Sequence, residues 1–218
     1  MLFRQLYDPE TSTYTYLIAD EKSHEAILVD PVIEQVERDL KLIQELGLRL
    51  RYCLETHIHA DHITGTGQLR ELTGCEGIVP EKAQADCANR SIKDGEILKV
   101  GDIEIKAIAT LGHTDSHNSY LVNHDRVLTG DSLLIRGCGR TDFQSGNPGL
   151  MYDHVTQKLF NLPDETLVYP GHDYRGHRVS TIGEEKQYNP RFLRKDRASF
   201  IEQMNQLNLP DPKNIAEA

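Results

Sequence analysis

The run His57-Ile58-His59-Ala60-Asp61-His62 sets four metal-ligand side chains within six residues, directly after a strand-like segment at 50–55. In extended chain His57 and His59 emerge on the same side, whereas Asp61 and His62 come from the turn into a helical pattern at 63–72 that stops at Gly74. A solvated polar loop in which Asp61 caps the helix would explain one such pair. It does not explain His113, Asp131 and His172, each in a turn just beyond a predicted strand, in LGHTDSH, LTGDSLL and YPGHDY. The chain must therefore adopt a fold that brings several strand ends to one edge.

The rest of the pattern agrees. Residues 14–19 and 25–29 read as strands joined by a polar turn, the second ending at Asp30-Pro31, where proline cannot continue a ladder. Val36, Leu40, Ile43 and Leu46 recur at helical spacing, with Gly47 where a C-terminal cap belongs. Strands are predicted at 103–110, 119–122 and 126–128, a helix at 148–160 through Met151, Val155 and Leu159, and a short strand at 166–169 that delivers His172. Two more helical stretches follow. Hairpins mixed with helical connections imply mixed sheets covered by helices, α/β or α+β rather than a doubly wound parallel sheet. No linker or repeat divides the 218 residues, so residues 1–218 are expected to form a single domain.

The net charge of -10 disfavours nucleic acid, which needs clustered Lys and Arg, and an acidic surface also repels anionic lipid. No apolar run is long enough to span a bilayer, and the N-terminal MLFRQLYDPETSTY lacks a signal-peptide core, so the cytoplasm is the expected compartment. Cys53, Cys75, Cys87 and Cys138 form no CxxC pair and suggest neither a zinc knuckle nor a disulfide framework. They read as buried thiols, except that Cys138 lies in a glycine-rich polar loop, where either a redox-sensitive or an inert thiol is consistent with the sequence.

The order His57, His59, Asp61, His62, then His113, Asp131 and His172, resembles the metallo-β-lactamase superfamily, whose signature is HxHxDH, over nearly the whole chain. The resemblance implies an αββα sandwich, two mixed β-sheets flanked by helices, with metal at their shared edge. The segments VLTGDSLLIRGCGRTDFQS at 127–145, LVYPGHDYRG at 167–176 and VSTIGEEKQYNPR at 179–191 further resemble its persulfide (sulfur) dioxygenase branch. That implies one Fe(II) per chain, held by His57, His113 and Asp131. His59, Asp61, His62 and His172 then orient ligands, substrate or water. The implied reaction oxidises glutathione persulfide with O2 and water to sulfite and glutathione, in sulfide detoxification. Two histidines and one carboxylate form the facial triad of non-haem Fe(II) oxygenases, with open positions for sulfur and O2.

The two carboxylates of glutathione call for donors, and Arg140, Tyr174 and Arg175 lie in loops beside the metal-site segments. An ion pair of Arg140 with Asp142, and a buried backbone-bonded hydroxyl for Tyr174, are equally consistent. Asp30 reads as metal-site support or as a strand terminator, and Asp173 as a brace for its loop or for the metal. The chain departs from the branch at GHTDSHNSY, 112–120, where Asp115-Ser116 replaces the usual Pro-Gly beside His113.

Ligand counting leaves a rival open, since all six positions of a binuclear hydrolase are filled. His57, His59 and His113 would hold one ion, Asp61, His62 and His172 the other, with Asp131 bridging. Glyoxalase II, which hydrolyses glutathione thioesters, is that rival, although it usually carries a longer C-terminal helical region. A third reading is a non-catalytic persulfide-binding partner of a sulfurtransferase. With no rhodanese-like domain in the chain, any sulfurtransferase would act in trans, and a homodimer stays open.

Overall fold

The computed structural model describes residues 1–83, 85–86, 88–143 and 145–209, so Cys87 lies outside the described residues. The first sheet runs β1 (Leu2–Tyr7), β2 (Tyr14–Ala19), β3 (Glu25–Val29), β4 (Arg49–Leu54), β5 (Glu76–Pro80) and β6 (Arg90–Ile92) in spatial order. Its first three strands are antiparallel, and β3 to β6 are parallel. The crossovers between parallel strands hold α1 (Val36–Glu45) and α2 (Thr66–Thr73). The second sheet contains β7 (Ile97–Val100), β8 (Ile103–Ala109), β9 (Asn118–Val122), β10 (Arg126–Gly130), β11 (Leu167–Pro170) and β12 (Ser180–Thr181). All its pairings are antiparallel except β10 with β11, which are joined through α3 (Pro148–His154). The chain continues in α4 (Ile182–Tyr188) and α5 (Arg197–Asn205).

Side-chain alternation explains the layering. On β2, Tyr14, Tyr16 and Ile18 face the second sheet and pack with Ile105, Tyr120 and Val122, whereas Leu17 and Ala19 face Val36, Ile43 and Leu69 of the helices. On the other side Leu121, Val127 and Val168 pack against Met151, Phe200 and Met204. Two mixed sheets thus lie face to face between helical layers, the αββα sandwich expected from the sequence. Each fully buried Leu, Ile or Val side chain contributes about 1.5–3 kcal/mol.

Strand ends fall within two residues of the sequence reading, and two helix boundaries differ by more. α2 starts at Thr66 rather than at residue 63, because Ile63 and Gly65 hydrogen-bond through their backbones to Ile33 and Pro31, and Thr64 bridges Val32. The expected helix at 148–160 is α-helical only to His154, and Val155–Leu159 forms a π turn.

Two buried tyrosines tie the sheets together at the edge that carries the histidines. Tyr16 of the first sheet donates to the carbonyl of Pro170 in the second at 2.5 Å, and Tyr120 of the second donates to the carbonyl of Glu55 in the first at 2.7 Å. Each bond ends within two residues of a candidate ligand, His172 or His57.

Candidate metal centre

The loop after β4 is fastened before it turns. Both hydroxyls of Thr64 and Thr66 donate to Glu55 Oε1, each at 2.5 Å. Asp30, buried and in the left-handed region at φ 51°, accepts the Thr56 amide at 2.7 Å and the Thr56 hydroxyl at 2.8 Å. The cost of that backbone conformation, about 1–2 kcal/mol, is offset by those bonds. Asp30 therefore both ends β3 and supports the histidine loop.

His57, His113 and Asp131 each offer a ligand atom within 4.8 Å of the others. His57 Nδ1 lies 2.9 Å from the Thr56 hydroxyl, which itself donates to Asp30, so Nδ1 carries the proton and Nε2 keeps its lone pair. His113 Nδ1 donates to the carbonyl of Arg140 at 2.8 Å, freeing its Nε2, which lies 3.6 Å from Asp131 Oδ2. Burial first, then the neighbouring His59, hold His57 well below the usual imidazole range, so it is a neutral donor. The side chains thus converge as a donor set suited to a cation, with Nδ1 of each ring engaged by the protein.

His172 closes the other side of Asp131. Its Nδ1 donates to Asp131 Oδ1 at 2.7 Å and its Nε2 to Asp61 Oδ2 at 2.8 Å. Burial opposes the charge, but the flanking carboxylates win and hold His172 well above its ordinary range. Asp131 is likewise buried, yet the His172 cation keeps it well below the usual carboxylate range. The Thr13 hydroxyl sits in this group, 3.0 Å from His172 Nε2 and 3.3 Å from Asp61 Oδ2. His59, Asp61 and His62 form an overlapping cluster, in which His59 Nδ1 and His62 Nε2 are buried without a hydrogen-bond partner among the described residues. The Nε2 of His59 points to Asp30 at 3.2 Å.

Glycine is required on both sides of Asp131. Gly130 has φ 48°, and a Cβ there would lie 2.6 Å from His117 Nε2; one on Gly171 would lie 2.8 Å from Asp131 Oδ1.

The centre opens into a cleft of about 640 Å³ bordered by Arg136, Cys138, Arg140, Tyr174, Arg175 and Arg191. Arg140 is paired with both oxygens of Asp142, at 2.7 and 2.9 Å, as the ion-pair reading required. Tyr174 is 72% exposed and stacks at 7° on His172, so the buried-hydroxyl alternative is wrong. Arg175 donates to the Ile135 carbonyl at 3.0 Å, and Asp173 accepts the amides of Arg175 and His177, which makes it a brace for the loop. Cys138 packs against the apolar cluster of the second helical layer, and burial pushes its thiol up to about 12, which disfavours a redox-sensitive thiolate.

Sequence reasoning missed His117, Thr13, Thr56 and Arg191. His117 Nε2 accepts the Asp131 amide at 3.1 Å, its Nδ1 bonds Thr110 Oγ1 at 3.0 Å, and its ring stacks on His57 with centroids 5.0 Å apart. The signal was present in its spacing of four residues from His113. Arg191 closes the last quoted motif, and no partner for its guanidinium is found among the described residues.

Comparison with known proteins places this geometry. The family model described as the metallo-beta-lactamase superfamily matches residues 8–172. The chain is 46% identical over 217 residues to the protein named persulfide dioxygenase ETHE1, mitochondrial, of Homo sapiens, covering 99% of the chain and 85% of that protein. The crystal structure of ETHE1 from Myxococcus xanthus superposes with a TM-score of 0.97 at 54% identity, covering 100% of this chain and 96% of that one. A hydroxyacylglutathione hydrolase of Dictyostelium discoideum is 32% identical over 169 residues, 74% of this chain and 62% of that protein.

Proposed function

The chain belongs to the persulfide dioxygenase branch of the metallo-β-lactamase superfamily, and from that premise we infer that it oxidises a persulfide with O2. The observation that carries the reading is the constellation of His57, His113 and Asp131, two imidazoles and one carboxylate brought together at the sheet edge, with Nδ1 of each ring engaged by the protein. This donor set suits a metal, and we assign it to one Fe(II). When bound, Fe(II) supplies adjacent coordination positions for sulfur and O2.

The protein's own groups do the rest. Thr56 and the Arg140 carbonyl fix the two histidine tautomers, and His172 and the His117 ring hold Asp131 from two sides. Glutathione persulfide is the proposed substrate, since its carboxylates suit the guanidinium of Arg191, with Arg140 and Arg175 on the same cleft wall. Holding the reactants beside one another removes part of the entropic barrier, which in well-oriented systems is worth about 7–11 kcal/mol. The products are sulfite and glutathione.

A single ion is favoured over the binuclear hydrolase by likeness: identity to the persulfide dioxygenase is 46% over 99% of the chain, against 32% over 74% to the hydroxyacylglutathione hydrolase. Three free thiols, Cys53, Cys75 and Cys138, suit a reducing compartment, for which we propose the cytoplasm. Among the described residues no helix is long and apolar enough to cross a membrane. A sulfurtransferase acting in trans is the class of reaction that would supply a persulfide.

The test pairs oxygen uptake on addition of glutathione persulfide with elemental analysis of the purified protein. Uptake matched by sulfite, with about one iron per chain, supports the dioxygenase. Two metals per chain and thioester hydrolysis without oxygen uptake would overturn it in favour of the hydrolase. Persulfide binding by the iron-loaded protein without either reaction would make it a binding partner.

A further inference from the structure

Two thiols on the helical side of the first sheet take no part in the metal centre. Cys53 on β4 and Cys75, the residue before β5, lie 22 positions apart in the chain with their sulfurs 3.7 Å apart. Both are free thiols. Cys53 is fully enclosed in the apolar cluster beneath α1 and α2. Cys75, 5% exposed, forms part of the wall of a surface depression with Arg70, Gly74, Asp86 and Asn89. Cys75 is thus the outer residue of the pair, at the wall of a surface depression, and Cys53 stands behind it.

We propose that Cys53 and Cys75 form a covalent sulfur-acceptor site, in which Cys75 takes the outer sulfur of a low-molecular-weight persulfide and Cys53 then closes the pair into a disulfide. The site rests on the proposed function for its oxidant, the persulfide itself. Local chemistry suits the order of events. A hydrogen bond between the two thiols, helped by the Thr73 hydroxyl and the Arg70 charge against burial, lowers Cys75 below the usual thiol range, whereas Cys53 is pushed above it. A thiolate in front of a protonated thiol is what stepwise exchange requires.

The Cys75 thiolate attacks the terminal sulfur of R–S–SH; that S–S bond breaks, and RS⁻ leaves and takes a proton. Cys75 now carries S–SH. Cys53, losing its proton, attacks Cys75 Sγ and expels hydrosulfide. One persulfide and two thiols become one thiol, one disulfide and one hydrogen sulfide, and the outer sulfur gains the two electrons that the cysteines lose. Closure from 3.7 Å to about 2.0 Å needs a small shift at Cys75, beside Gly74, around which a side chain would meet only open space. The bond would join the two ends of the segment bearing His57, His59, Asp61 and His62.

The experiment treats the purified full chain with glutathione persulfide under anaerobic conditions, then alkylates it, maps the peptides by mass and assays sulfide. The expected result is a Cys53–Cys75 linked peptide about 2 Da lighter than the sum of its thiol forms, with about one sulfide released per chain. Cys53→Ser should trap one extra sulfur on Cys75, and Cys75→Ser should do neither. Recovery of both native thiols as alkylated cysteines, or an unmodified Cys75 in Cys53→Ser, overturns the proposal. His113→Ala, which should abolish sulfite formation, should still form the link, so failure of this site and failure of the metal-centre reading give different results.

Discussion

The backbone amide of Asp131 donates to Nε2 of His117 at 3.1 Å, so a residue outside the proposed ligand set fixes the main chain of the proposed carboxylate ligand. Burial first, then the adjacent His113, bring His117 down to about 3, which keeps it a neutral acceptor at working pH. His117→Phe preserves a ring against His57 but strands the Asp131 amide. Its iron affinity should fall by about 10- to 100-fold, and His117→Gln, which retains an acceptor, should recover part of the loss. Titration against a competing chelator measures both, and equal affinity in the Phe variant and the parent would remove His117 from this role.

Replacement of any one of His57, His113 and Asp131 by Ala should lower iron content and sulfite formation together, by roughly a hundredfold or more. The fold should persist, because most of the core lies between the sheets and under the helices. Metal analysis and circular dichroism on the same preparations check this. A variant that keeps both iron and full activity would falsify the triad.

Arg191 faces the cleft with no partner among the described residues, whereas Arg140 already holds Asp142. Arg191→Ala should therefore raise KM for glutathione persulfide about 10-fold with little change in kcat, the loss of one charged hydrogen bond. A fall in kcat at unchanged KM would place Arg191 elsewhere in the cycle.

Asp39, buried on α1, is raised by burial to about 6 despite the opposing Arg38 guanidinium. A carboxyl that binds its proton more tightly in the folded chain than in the unfolded one costs stability above pH 6, and the cost fades as pH falls toward 4. The shift corresponds to about 3 kcal/mol. Asp39→Asn should thus be more stable than the parent at pH 7.5 by up to that amount and indistinguishable near pH 4. Urea unfolding across this range decides it; a difference independent of pH would rule out desolvation of Asp39 as the cause.

With its thiol near 12, Cys138 should resist iodoacetamide at pH 7.5 in the folded protein and react after denaturation. Rapid native alkylation, read by peptide mass, would restore it as a redox-sensitive residue.

Much of this arrangement was legible because strand ends announce themselves. β2 and β3 lie where alternation and Asp30-Pro31 put them, and Gly47 and Gly74 end their helices with positive φ. The histidines of the site were visible as a set, since His57, His113 and His172 each follow a strand. What escaped was support that acts across sequence distance. Thr13 meets His172 through a contact spanning 159 residues, and the hydroxyl of a threonine in a polar turn carries no mark of that. His117 escaped because its effect runs through a backbone amide. Short strands such as β6 and β7 escaped because Arg90–Ile92 and Ile97–Val100 are too brief to establish alternation.

The reciprocal bonds of Tyr16 and Tyr120 have a kinetic corollary. Since each sheet anchors a histidine loop of the other through a buried hydroxyl, the receptacle is tied together from both sides before any cation arrives. Metal uptake should then be a capture event, paced by the ion shedding its water rather than by the chain searching for its shape.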